Sequence, residues 1–175
     1  VDFAASYELP VGTGSVTAGF AGTYVIDYKT SEVVVEGVTV QPAFDGVGLL
    51  NYQTTAYPLP KWKGNAYLQG DFGDHSLRLQ VNYLDGYTDQ RGAAIFGPNT
   101  GALAGASVTT GKNIGSFTTV DATYRLRLKT GTTIALSALN ILDQDPPFAR
   151  LDQNYDPFTA SPLGFTAKIS ITQDF

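Results

Sequence analysis

Thr119-Val-Asp-Ala-Thr-Tyr-Arg-Leu-Arg-Leu-Lys129 is the stretch that decides the fold. Val120, Ala122, Tyr124, Leu126 and Leu128 fall on one side of an extended chain; Thr119, Asp121, Thr123, Arg125, Arg127 and Lys129 fall on the other. Successive side chains of a strand point to opposite faces, so strict alternation predicts a strand with one apolar and one polar face. A helix would need apolar residues at three- and four-residue spacing, and that spacing is sustained nowhere in the chain.

Working outward, the same period recurs in seven runs, at about 1–9, 15–29, 61–72, 75–88, 116–129, 132–142 and 164–175. Leu77, Leu79, Val81 and Tyr83 oppose Ser76, Arg78, Gln80 and Asn82, and Phe165, Ala167, Ile169 and Ile171 oppose Thr166, Lys168, Ser170 and Thr172. Pro10–Gly14, Phe72–His75 and Lys129–Thr132 read as short glycine-containing turns. Between them lie long segments at about 30–60, 89–114 and 143–163, so short and long connections alternate. The expected fold is all-β, an antiparallel up-and-down meander of about seven strands.

Composition narrows the class. Charged residues are 15% of the chain, below the roughly 25% of soluble domains. A net charge of −5 and the lack of any basic cluster argue against a nucleic-acid partner. No cysteine is present, so there is neither a disulfide scaffold nor a thiolate metal site. His75 is the single histidine and sits in a predicted turn, which suits neither a zinc site nor a Ser-His-Asp triad. Nucleotide-binding glycine motifs are missing as well, so the expectation is a protein that is not an enzyme and holds no cofactor.

Alternation alone does not say whether the apolar faces meet a core or lipid. Strands of about 11–15 residues exceed the roughly 9–11 needed for a tilted membrane crossing. Tyr7, Phe72 and Phe175 lie toward the short turns and Tyr28, Tyr83 and Tyr87 toward the long loops, as interfacial aromatic girdles would. Tight turns at one end and long loops at the other are the pattern of transmembrane barrels. The alternative from the same features is a soluble lipocalin-like barrel around a small ligand, with a small structural membrane barrel or adhesin as a third reading.

Phe117–Tyr124, Thr130-Gly131, Asn140–Pro147, Gly164 and the closing Phe175 stand in an order by which the last sixty or so residues resemble TonB-dependent outer-membrane receptors. Phe117–Tyr124 is similar to the strand entry of that family's third-last strand, and Thr130-Gly131 fits a periplasmic turn. Asn140-Ile-Leu-Asp143-Gln-Asp-Pro146-Pro147 resembles the family's Asn-Leu-Phe-Asp-x-x-Pro-Pro signature; Pro162-Leu-Gly164 and a strand ending in Phe175 follow in the usual order. Leu59-Pro-Lys-Trp62 is similar to a more general strand entry. Phe165 stands where the family has Arg, and Gln173 replaces a hydrophobic residue.

The resemblance implies the carboxy-terminal part of a receptor barrel of about 22 strands, with the plug domain and the TonB-contacting segment outside this chain. It implies uptake of a scarce ligand such as a ferric siderophore, and a location in the bacterial outer membrane. Its partners would be lipid, the rest of the barrel and plug, TonB through the missing part, and the barrel-assembly machinery through the terminal strand. Ligand contacts would come from loop aromatics and arginine, for which Tyr52, Tyr57, Tyr87, Arg91 and Phe96 are the candidates. Asn140, Asp143, Pro146, Pro147, Gly164 and Phe175 are the structural signature, Asn140 and Asp143 capping nearby N–H groups and the prolines ending a strand. Asp143, Asp145, Asp152 and Asp156 would suit calcium, but the glycine-containing loop closed by Glu is missing, so no metal is expected.

Overall fold

Runs rich in Val, Ile, Leu, Tyr and Thr, separated by glycine turns, form strands in the computed structural model of the chain, which describes residues 1–52, 57–92 and 109–174. In chain order these are β1 (Asp2–Val11), β2 (Gly14–Tyr24), β3 (Lys29–Thr30), β4 (Val33–Val35), β5 (Val38–Gln41), β6 (Phe44–Asp45), β7 (Trp62–Phe72) and β8 (His75–Leu84). They continue as β9 (Tyr87–Thr88), β10 (Asn113–Ile114), β11 (Phe117–Arg127), β12 (Thr132–Leu139) and β13 (Thr166–Gln173). No helix occurs among the described residues.

Seven of these make one antiparallel sheet in the order β1-β2-β7-β8-β11-β12-β13. Each strand pairs with its neighbour in the meander, and the sheet is open, with β1 and β13 as its edges. Two-residue turns join β1 to β2 and β7 to β8, Val11 facing Gly14 and Phe72 facing His75. Gly12 (φ +58°) and Gly73 (φ +59°) open those turns in the left-handed region that glycine enters without steric cost.

The register sorts the sheet into rows. Tyr7, Ala18, Leu68, Leu79, Ala122, Ala138 and Ala167 lie side by side across all seven strands. One residue along, Glu8, Thr17, Gln69, Arg78, Thr123, Ser137 and Lys168 form an entirely polar row. The next row is apolar again, with Leu9, Val16, Gly70, Leu77, Tyr124, Leu136 and Ile169.

Exposure follows the apolar rows most clearly in β8, whereas at the end of β11 Tyr124 and Leu126 are half-buried and Arg125 and Arg127 exposed. In β8, Leu77, Leu79, Val81 and Tyr83 are exposed, whereas Arg78, Gln80 and Asn82 between them are half-buried. The polar face is internally bonded: Arg78 donates to Gln80 Oε1 (2.9 Å), Gln80 to Asn82 Oδ1 (2.6 Å), and Asn82 to Asp121 Oδ2 (2.8 Å). Arg78 also lies 3.7 Å above the Tyr67 ring. Burial at about 25 cal/mol per Å² therefore does not hold this sheet together from within.

The long connections depart from the sequence reading. The second run stops at Tyr24, and the fourth breaks after Leu84, Tyr87 and Thr88 pairing instead with Ile114 and Asn113. Lys29–Thr30 pairs with Phe44–Asp45, and Val33–Val35 with Val38–Gln41. The latter hairpin turns through Glu36 (φ 51°) and Gly37 (φ 79°), two positive-φ residues in succession, as a type I′ turn requires. Its Val-Val-Val run lacks the polar alternation of the other strands, which is why it read as loop.

Candidate ligand-binding site

The three long connections (25–61, 85–116 and 140–165) leave the same end of the sheet and pack on one another. Leu50, Tyr87, Ile114 and Ala149 are the fully buried hydrophobic residues among those described, and none belongs to the seven-stranded sheet. The hydrophobic core of this chain is in its loops.

Backbone bonds join the first loop to the second, Leu50 N donating to Thr88 O (2.9 Å) and Thr88 N to Gly48 O (2.8 Å). Asn51, buried and left-handed (φ 51°), donates from Nδ2 to Gly46 O (2.9 Å) and Tyr57 O (2.8 Å), and its N–H reaches Gln90 Oε1 (3.1 Å). Asn tolerates that backbone region because its short amide bonds locally.

A charged clasp joins the second loop to the third. The Asp89 carboxylate is fully buried. Its Oδ1 accepts from Arg91 N (3.0 Å) and Nε (2.9 Å), and its Oδ2 from Arg91 Nη2 (2.8 Å) and Arg150 Nε (3.1 Å). Arg91 Nη2 also donates to Arg150 O (2.7 Å), and Arg150 to Gly92 O (3.1 Å) and Arg91 O (3.2 Å). Burial opposes ionisation of Asp89, but the Arg91 hydrogen bonds and the charges of Arg91 and Arg150 outweigh it and hold the carboxyl below its ordinary range.

Beside the clasp, Tyr87 Oη donates to Asp156 Oδ2 (2.5 Å) and bonds Thr159 Oγ1 (2.8 Å). Burial first, and the hydrogen bond to Asp156 second, push the Tyr87 phenol above its usual value. Asp156 is itself buried, and its Oδ1 caps the N–H of Phe158 (3.0 Å).

A cavity of about 590 Å³ opens next to these groups, within the 300–1,000 Å³ of small-molecule sites. Tyr52, Tyr57, Tyr155 and Phe158 supply its rings, Leu50 and Leu151 aliphatic surface, and Arg91, Arg150, Asp152 and Asp156 its charges. The Arg91 guanidinium lies 4.0 Å over the Tyr52 ring, and the Tyr57 and Phe158 rings meet at 5.3 Å across two loops. Tyr57 has φ 53°, a strained conformation for an aromatic residue.

Of the five residues proposed from sequence, Tyr52, Tyr57 and Arg91 line this cavity. Tyr87 does not: it is packed into the loop core, its hydroxyl held by Asp156 and Thr159. Phe96 lies outside the described residues. Arg150, Tyr155, Asp156 and Phe158 line it too but went unselected; the partners of Arg150, Asp156 and Phe158 lie about sixty residues or more away in other loops.

The signature residues sit below, where β12 ends. Asn140 (φ 50°) closes a bracket on Gln144, its Nδ2 donating to Gln144 O (2.9 Å) and its Oδ1 accepting from Gln144 N (3.0 Å). Asp143 Oδ1 accepts from Phe165 N (2.8 Å), tying the strand exit to the start of the last strand. Gly164 (φ +57°) passes so close to that oxygen that a Cβ would collide with it. Pro146 and Pro147 follow in chain without regular secondary structure, and Phe175 lies outside the described residues. Among the described residues no three acidic or histidine side chains converge as a metal site; Asp143 and Asp156 have the partners just named.

Comparison of the chain with protein-family models, with curated proteins and with solved structures finds no match.

Proposed function

We propose that this chain is seven strands of the wall of a transmembrane β-barrel and, following the resemblance of residues 117–175, part of a TonB-dependent outer-membrane receptor that takes up a scarce ligand such as a ferric siderophore. The observation that carries the reading is the exposure of large apolar side chains along the apolar rows, Leu9, Phe20, Leu68, Leu79, Leu136 and Ile169 among them. Water would penalise such a surface, and acyl chains would not. A soluble lipocalin-like barrel would put those rows inside, so their exposure favours lipid.

Dimensions support it. Trp62 and Phe72 lie on the apolar face at the two ends of β7, ten residue steps apart. At about 3.4 Å per residue and a tilt of about 40°, that is roughly 26 Å along the membrane normal, close to the apolar band of about 25 Å in such barrels. Phe3, Tyr24 and Trp62 cluster at the loop end, Phe3 stacking on Trp62 at 5.0 Å and Lys61 lying over Tyr24. The unpaired outer edges of β1 and β13 would bond to neighbouring strands of the same barrel, since open edges are sites of further pairing. Polar rows would face the lumen and plug, and the loop cluster the cell exterior.

Trp62 is the chain's single tryptophan and so reports without mutagenesis. In lipid vesicles its emission should be quenched by phospholipids brominated near the headgroup, and less by those brominated at the bilayer centre. Emission indifferent to brominated lipid, in a protein that stays monomeric without detergent, would reject the wall assignment.

A further inference from the structure

We propose that the loop cavity binds a neutral, planar aromatic compound. The inference uses the barrel-wall reading only to say which side of the membrane the cavity opens to; the site itself stands on loop residues. Its walls are mainly rings and aliphatic groups, and two of those rings are held in water. Phe158 is 71% and Tyr57 59% exposed, although each sits in a loop that buries other side chains fully. Large apolar side chains left open beside a formed core mark a contact surface. Their centroids are 5.3 Å apart and their planes inclined at 53°, so the two rings form one tilted aromatic pair. Tyr57 is fixed there at φ 53° with its carbonyl held by Asn51 Nδ2, so the backbone strain maintains the ring at the mouth.

The charges decide what kind of ring. Arg91 and Arg150 are committed to Asp89 and to backbone carbonyls, and Asp156 to Tyr87 and the Phe158 N–H. Both guanidinium groups along the lining are paired with the buried Asp89, so an anionic ligand would have to compete with Asp89 for its counter-ions. A flat uncharged ring instead packs on the exposed Tyr57 and Phe158 rings, through the offset and edge-to-face contacts aromatic groups favour. Asp152 and Gln153, exposed on the rim, are placed to accept from or donate to a ring hydroxyl.

Equilibrium dialysis with the chain in nanodiscs, empty nanodiscs being subtracted, tests this with three probes: naphthol, naphthoate and decahydronaphthol. Naphthol should bind saturably at one site, about tenfold tighter than the carboxylate or the saturated alcohol. Phe158→Ala and Tyr57→Ala should each weaken it about three- to tenfold, the range expected for losing one aromatic contact. Phe158→Leu, which keeps bulk but no ring, should behave like Phe158→Ala, and Phe158→Tyr like the parent. The proposal is overturned by naphthoate or decahydronaphthol binding as tightly, by affinity indifferent to both ring removals, or by no saturable binding. Trp62 quenching is read on the same samples, so loss of ring binding with quenching intact rejects this site and leaves the wall assignment standing. The reverse pattern does the opposite.

Discussion

Replacing Asp89 with Ala should open the loop cluster while leaving the sheet alone. The carboxylate is fully buried and accepts four hydrogen bonds from two arginines that are each 10% exposed. Removing one partner of a buried ion pair costs about 3–5 kcal/mol, because the charges left behind keep their desolvation penalty. Here two guanidinium groups would also face each other across the gap; their slight exposure lets one swing out, which favours the lower part of that range. At about 1.36 kcal/mol per power of ten, local opening becomes more frequent by about two to three orders of magnitude. Amide hydrogen exchange followed by mass spectrometry reads this directly. Peptides carrying Leu50 and Thr88, whose N–H groups bond across the first and second loops, should lose that much protection, and peptides from β8 and β11 none. Loop exchange within threefold of the parent, or equal losses in the sheet, would refute the clasp.

Other outcomes follow from the same geometry. Because Asp89 is held below its ordinary range, its contribution is present above the unfolded carboxylate value of about 3.9 and is lost as pH falls through the lower folded value. Loop protection, corrected for intrinsic exchange, should therefore be flat from pH 7 to about 5 and decline only below about 4. Tyr87 has the opposite sign: its phenol is raised, so stability is complete below the unfolded value of about 10 and falls as pH rises past it. Phenolate absorbance should show one tyrosine ionising only with loop opening, a component that Tyr87→Phe removes. Gly164→Ala places a Cβ against Asp143 Oδ1 at φ +57°, and should lower stability by about 1–2 kcal/mol in urea titrations of the detergent-solubilised protein. In the central apolar row, Leu79→Arg should cost about 2–4 kcal/mol in lipid, against less than about 0.5 for Thr17→Arg on the polar row. Equal costs on both faces would exclude a lipid-facing row.

The sheet was legible because it obeys one local rule. Val120 to Leu128 alternates without interruption, Ser76 to Tyr83 does the same, and glycines mark the turns between strands, so neighbours pair with neighbours. Nothing in that period encodes how the loops meet. Asp89 finds Arg150 across 61 residues and Tyr87 finds Asp156 across 69, contacts set by packing and by the need to neutralise a buried charge. Tyr87 was selected for its type, yet its neighbours make it core. Phe158 lies in the long connection at about 143–163, where the sequence shows no partner for it, and the approach of Tyr57 from another loop makes it part of a cavity. Glu36-Gly37 was a local cue for the small hairpin, masked by the unbroken valine run before it.

The rows described for the sheet set how this chain can change. Removing one residue from the middle of a strand would carry every side chain beyond it through to the opposite face, exchanging Leu79 for Gln80 and its neighbours alike. Strand lengths are thereby quantised in steps of two, and single insertions and deletions are confined to the loops. The loop cluster is thus free to drift in length while the sheet beneath it is not.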